Sequence, residues 1–158
     1  MEFQQLLEEK RKIVNEHIDR ILSSGFEQNE AKELVKYTFR TGGKRLRPIM
    51  VLLACDAVGG EEKSALNAAA AMEFVHAASL IFDDLIDKDR LRRSMPTLNV
   101  AFNDDRAISS GLFLASKGVQ VLSEYKDPKI TKMIGWALVE LSKGEMLDVI
   151  SDIAIDVE

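Results

Sequence analysis

The chain has 158 residues, enough for one domain with a real core, and its 46% apolar and 30% charged residues give an ordinary soluble profile. A net charge of -5 without a basic tract argues against a nucleic-acid partner, because phosphate backbones recruit clustered Lys and Arg. The single cysteine, Cys55, excludes an internal disulfide and any multi-cysteine zinc site, and its apolar surroundings predict a small core residue.

The N-terminal stretch "MEFQQLLEEKRKIV" is too charged for a signal peptide, and its spacing predicts a helix near 2–22 that ends before Ser23-Ser24-Gly25. A second helix is expected near 29–40, stopping at Gly42-Gly43, and a third over 46–57, stopping at Gly59-Gly60. The fourth, near 62–88, is the longest and the most apolar. Glu73 and His76 interrupt it, which argues against a membrane span of about 20 apolar residues. A connection over 92–103 contains Pro96. Helices near 104–125 and 128–150 follow, separated by Asp127-Pro128, and "SDIAIDVE" ends the chain without a clear cap. Sustained strand alternation is missing. The expectation is one all-α domain over 1–158, an antiparallel helical bundle in a reducing, cytoplasmic setting with no transmembrane segment.

Apolar residues run almost all the way round the fourth helix, which predicts a central position. Glu73, His76, Asp83 and Asp87 are spaced three, seven and four apart and share one face. A polar stripe on a buried helix looks into a cavity or a wet interface, because unpaired buried carboxylates are costly. Asp83 and Asp87 stand one turn apart, about 6 Å along the axis, close enough to share a hard cation such as Mg²⁺. Asp84 points about 100° away, a place for supporting the other two. With Lys88, Arg90, Arg92 and Arg93 so near, the same residues also fit a solvated, salt-bridged helix end.

"TGGKRLRP", Thr41 to Pro48, places two glycines before Lys44, Arg45 and Arg47 at a helix start. Gly-Gly permits a tight turn, and cations beside the positive end of a helix suit phosphate groups. A plain interhelical turn fits as well, and His76 taken alone fits a satisfied core histidine. The combination of carboxylate stripe, Arg pair and cationic turn suits a diphosphate held partly by Mg²⁺ and partly by Arg and Lys.

The motifs "GGKRLRP" (42–48), "HAASLIFDDLID" (76–87), Arg92-Arg93 followed by "PT", and "KGEMLDV" (143–149) resemble, in order and spacing, the trans-isoprenyl diphosphate synthases of the polyprenyl synthetase family. The resemblance implies the N-terminal half of the isoprenoid synthase fold. It assigns Asp83 and Asp87 to Mg²⁺ on an allylic diphosphate, with Asp84 in the same motif, and Arg92 to that diphosphate. Lys44, Arg47, His76 and Arg93 resemble residues that hold isopentenyl diphosphate. The implied reaction is head-to-tail condensation of the two diphosphates. Ala78 and Ser79, small residues ahead of the acidic motif, resemble the deep chain-length pocket of enzymes making geranylgeranyl or longer products. The second Asp-rich motif and the Lys-Thr motif of the family do not occur in these residues. "SMP" (94–96) stands where Gly-Lys-Pro is usual, Gly111-Leu112 where Gly-Asp is usual, and Phe82 where His is frequent. The expected partner is a second copy, or a chain carrying the second Asp-rich motif, covering an open apolar face. A non-catalytic helical subunit that keeps diphosphate binding, or only the fold, is the alternative.

Overall fold

The computed structural model describes residues 3–23, 29–40 and 42–155. Helices α1 (Phe3–Ser23), α2 (Asn29–Arg40), α3 (Leu46–Ala57) and α4 (Glu62–Ile86) are followed by a small hairpin, β1 (Leu91–Arg92) and β2 (Met95–Pro96). Then come α5 (Leu98–Ala101), α6 (Asp104–Leu122) and α7 (Pro128–Ile155). The all-α expectation holds. Two compact units result, Met1–Val121 and Leu122–Glu158.

In the first unit α4 is the core helix. Its Ala69, Ala70, Ala71, Phe74, Ala77, Ala78 and Ile81 are buried among Val14, Ile18 and Leu22 of α1, Leu52 of α3, and Ala107 and Leu114 of α6. The alanines keep the helix thin, so its neighbours approach closely and pack at interior density. A methyl added at Gly111 would fall 2.7 Å from the Phe82 ring, and one at Gly118 would fall 3.1 Å from Val75. These contacts run α6 antiparallel along α4. By length and composition α4 could cross a membrane. Here its apolar faces are spent on protein, and Glu73 is bonded within the unit.

Helix ends follow local chemistry. Gly59, at φ 74°, closes α3: its N–H donates to Asp56 O at 3.0 Å, and the Gly60 N–H donates to Cys55 O at 2.9 Å. That pair of bonds is a Schellman stop. Asn103 caps α6 by accepting the Arg106 N–H at 2.9 Å, and Asp127 caps α7 by accepting the Lys129 N–H at 2.9 Å, with Pro128 at the first helical position. α7 makes up nearly all of the second unit. Among the described residues of that unit, the apolar Met133, Trp136, Leu147 and Ile150 are exposed.

Several expectations need correction. The connection 92–103 contains a two-stranded hairpin and the four-residue α5. In it Leu91 pairs Pro96 and Arg92 pairs Met95 around Arg93 and Ser94 at φ 51° and 66°, the signs of a type I′ turn. α4 stops at Ile86 rather than 88, because Lys88 takes the left-handed position (φ 55°) and the Asp89 N–H returns to Asp84 O at 2.9 Å. α6 stops at Leu122 rather than 125, where the Tyr125 N–H turns back to Leu122 O at 3.2 Å. α7 continues to Ile155, past the expected 150. Cys55 is only half-buried at the end of α3, donating weakly to Glu61 O at 3.6 Å. Ser24, Gly25 and Thr41 lie outside the described residues.

Candidate functional site

The Gly-rich turn and the hairpin are tied together. The Arg93 guanidinium donates to Gly42 O. A methyl on Gly43 would fall 2.6 Å from Arg45 Nη1 and 2.8 Å from Arg93 Nη1, so glycine leaves the room both guanidiniums occupy. Gly42 itself sits at φ 74°, which suits glycine. The hairpin is fixed from its other side: Thr97, buried, donates through Oγ1 to Asp89 O at 2.8 Å, and Tyr37 donates to Pro96 O at 2.9 Å.

Arg45, the middle cation of the turn, points inward. It donates to Glu73 at 2.8 Å and to Asn15 Oδ1 at 2.9 Å, and its guanidinium carbon lies 5.5 Å over the Phe39 ring. The two side chains of this ion pair are 8% and 7% exposed. Burial pushes the Glu73 carboxyl above its ordinary value, and Arg45, Arg93 and Arg47 pull it back only in part. The flanking cations are thereby turned outward: Lys44 and Arg47 are exposed and line one cleft with Gly43, His76 and Arg93, to which α1 adds Arg11. The His76 imidazole meets Arg47 Nη1 at 3.3 Å. Burial, with the charges of Arg47, Arg93, Arg45 and Arg92 added, lowers His76 to about 4, so it is neutral at physiological pH.

A second cleft adjoins the first, sharing Arg45, Glu73, His76 and Arg93 as common walls. Its apolar sides are Phe39, Leu80, Ile81 and Leu98, and its polar end is Asp84 with Arg92. Asp84 is buried and accepts from Arg92 Nε at 2.6 Å, with Nη2 also at 2.6 Å; Asp89 stands 3.8 Å from the same guanidinium. Asp84 thus anchors Arg92.

Asp83 and Asp87 differ from Asp84. Asp83 is half-buried and Asp87 exposed, one turn on, its N–H donating to Asp83 O at 2.8 Å. Burial raises Asp83, Arg92 opposes that, and the negative charges of Asp87 and Asp84 reinforce it. Among the described residues no group of three or more His, Cys, Asp or Glu could hold a metal unaided. Two carboxylates with surplus negative charge fit an ion such as Mg²⁺, which keeps waters and takes its remaining oxygens from substrate phosphates.

Of the expected site residues, the structure gathers Lys44, Arg47, His76 and Arg93 in one cleft and Asp84 and Arg92 in its neighbour. Asp83 and Asp87 lie beside Asp84 at the end of α4. Ala78 is buried in the core, and Ser79 is half-buried with its hydroxyl on His76 O at 2.9 Å; neither lines these two clefts. The pairing of Arg45 with Glu73, 28 residues apart, and the arrival of Arg11 left no mark in local spacing.

The site is thus an acidic helix end beside a cationic, guanidinium-lined cleft in an all-helical unit. The polyprenyl synthetase model matches residues 28–158, and the chain belongs to that family. It is 38% identical over 117 residues to the geranylfarnesyl diphosphate synthase of Methanosarcina mazei, covering 74% of this chain and 39% of that protein. Among solved structures it is similar to the geranylgeranyl pyrophosphate synthetase of Geoglobus acetivorans, with TM-score 0.83, 31% identity, and 90% of this chain and 48% of that one covered. It is also similar to the geranyltranstransferase of Thermotoga maritima, with TM-score 0.85, 33% identity, and 90% and 54% covered. The chain spans less than half the length of the curated relatives it matches.

Proposed function

We propose that this chain carries the diphosphate-binding half of a Mg²⁺-dependent prenyltransferase that joins isopentenyl diphosphate head-to-tail to an allylic diphosphate. Its catalysis requires a second chain or a C-terminal half bearing the second Asp-rich motif. The observation that carries this reading is the pair of adjoining clefts, one cationic and one apolar with a carboxylate–guanidinium end, separated by shared walls.

Lys44, Arg47 and Arg93 hold the isopentenyl diphosphate, and His76, being neutral, donates or accepts a hydrogen bond without adding charge. Arg92 binds the allylic diphosphate while Asp84 fixes its guanidinium plane. Asp83 and Asp87 would hold Mg²⁺, which would supply positive charge to the departing diphosphate. The C1–O bond of the allylic substrate breaks, the diphosphate leaves, a carbon–carbon bond forms to isopentenyl C4, and a proton departs. Arg92 and its neighbours stabilise the charge that develops on the leaving group. The apolar residues Phe39, Leu80, Ile81 and Leu98 keep water from the cation. The setting is cytoplasmic, and the apolar residues of α7 favour a partner, whether a second copy or a different chain.

A second reading, a non-catalytic subunit that keeps diphosphate binding, is favoured by one observation: Arg92 is already committed to Asp84 at 2.6 Å. The test is prenyl transfer from labelled isopentenyl diphosphate with allylic diphosphates of several lengths and Mg²⁺. Product from the chain with a partner bearing the second motif, lost in Asp83→Ala, is expected. Binding without product under every pairing supports the second reading and overturns the first.

A further inference from the structure

We propose that Arg11 of α1 is a further diphosphate-binding residue of the cationic cleft, an inference that rests on the diphosphate reading above. Arg11 lines the same cleft as Lys44, Arg47, His76 and Arg93. It lies ahead of the family match, which begins at residue 28, so that match assigns it nothing.

Its placement is built. One residue earlier, Lys10 is buried and bonds Asp56 at 2.6 Å, and Glu62 as well. One turn later, Asn15 accepts from Arg45 Nε at 2.9 Å. These ties flank Arg11 on its own helix and pin α1 to α3, to α4 and to the end of the Gly-rich turn. The backbone of Arg11 is therefore delivered to the cleft by buried polar contacts rather than by the reach of a loose side chain.

The charge balance of the cleft gives Arg11 work to do. Arg45 is matched by Glu73 inside the wall, so this pair adds little net charge. Lys44, Arg47 and Arg93 remain, and a terminal diphosphate presents oxygens on several sides. Arg11 approaches from α1, a different element from those that carry the other three. Its present partner is Glu8, one turn back and 64% exposed. An exposed pair of this kind adds little, and a guanidinium has donors enough to keep Glu8 while serving a second anion.

The test is calorimetric binding of inorganic pyrophosphate, without Mg²⁺, to the full chain. Arg11→Gln is expected to weaken binding about fivefold, as for an exposed charge-assisted bond, and Arg11→Lys to recover part of that. Glu8→Gln, which frees the guanidinium, is expected to tighten binding about twofold. Lys12→Gln removes the same charge from the next position on α1 and controls for net charge; it should change little. If Arg11→Gln binds no more weakly than Lys12→Gln while Arg47→Gln loses affinity, the role of Arg11 is overturned and the diphosphate reading stands. If wild type fails to bind, or Arg47→Gln binds as wild type does, both are overturned.

Discussion

The two ends of the polar stripe on α4 are held in opposite ways. At the Glu73 end a carboxylate is buried, and its charge is answered by Arg45, which is itself held by Asn15 and the Phe39 ring. At the Asp83–Asp87 end the carboxylates are half-buried to exposed, repel one another, and leave negative charge in reserve. The first end is a finished structural joint that aims Lys44 and Arg47 outward. The second keeps negative charge unanswered by the protein, and it is where the proposed Mg²⁺ would sit. Satisfied charge marks the scaffold here, and the proposed metal site is where charge is left over.

The most severe way to break the scaffold end is Glu73→Gln, which strands Arg45 in the interior. A loss of about 3–5 kcal/mol is expected, read from urea unfolding. Replacing both partners, Glu73→Met with Arg45→Met, should recover most of the stability while still misplacing the turn and weakening pyrophosphate binding. A single-variant loss of under about 1 kcal/mol would mean that the pair is solvated. Next in size, Arg47→Gln should weaken pyrophosphate about tenfold, the worth of one charge-assisted bond.

His76 sharpens the comparison through pH. Its folded value of about 4 lies below the ordinary 6.5, so the unfolded chain takes up the proton more readily between the two. The stability contributed by keeping His76 neutral is complete above about pH 6.5 and is lost as pH falls toward 4. A bound diphosphate offsets the surrounding guanidiniums, so the ring-proton titration followed by NMR should move upward from about 4 when pyrophosphate is added. An unmoved midpoint would place the anion elsewhere.

At the acidic end the effects on stability are smaller. Asp83 is raised, so its ionised form costs stability as pH climbs through its titration. Asp83→Asn should therefore stabilise the chain by about 0.5 kcal/mol at neutral pH, the scale of a like-charge pair one helical turn apart, and the gain should fade in acid. The same variant should lose Mg²⁺-dependent binding of diphosphates, a gain in stability at the expense of function. An effect of the same size concerns Ser94, held at φ 66° in the hairpin turn, where the resembling family carries glycine. Ser94→Gly should stabilise by about 0.5 kcal/mol, the relief of a left-handed residue less the entropy that glycine adds to the unfolded chain. Thermal melts will register either sign.

Local chemistry was readable wherever a single residue dictates it. Gly59-Gly60 ended α3 and Asp127-Pro128 started α7 as expected, and the all-round apolar pattern of α4 put it in the core. The hairpin was not readable, because two-residue strands have no period and Arg93-Ser94 is not the Asn-Gly that announces a type I′ turn. The cationic turn and the carboxylates were legible as chemistry, since glycines, cations and i, i+4 acids are signals in themselves. Their division of labour was not. Spacing alone placed Glu73 and Asp83 on one face as equals. Tertiary partners, Arg45 for one and Arg92 on Asp84 beside the other, made the first a joint and left the second open.

The measurement closest to the central claim is calorimetry of geranyl diphosphate binding to the purified chain, with Mg²⁺ and with EDTA. Binding that is tight with Mg²⁺, and that weakens at least tenfold (about 1.4 kcal/mol) both in EDTA and in the double variant Asp83→Asn with Asp87→Asn, is what the account predicts. Affinity unchanged by the metal, or by loss of both carboxylates, would contradict it.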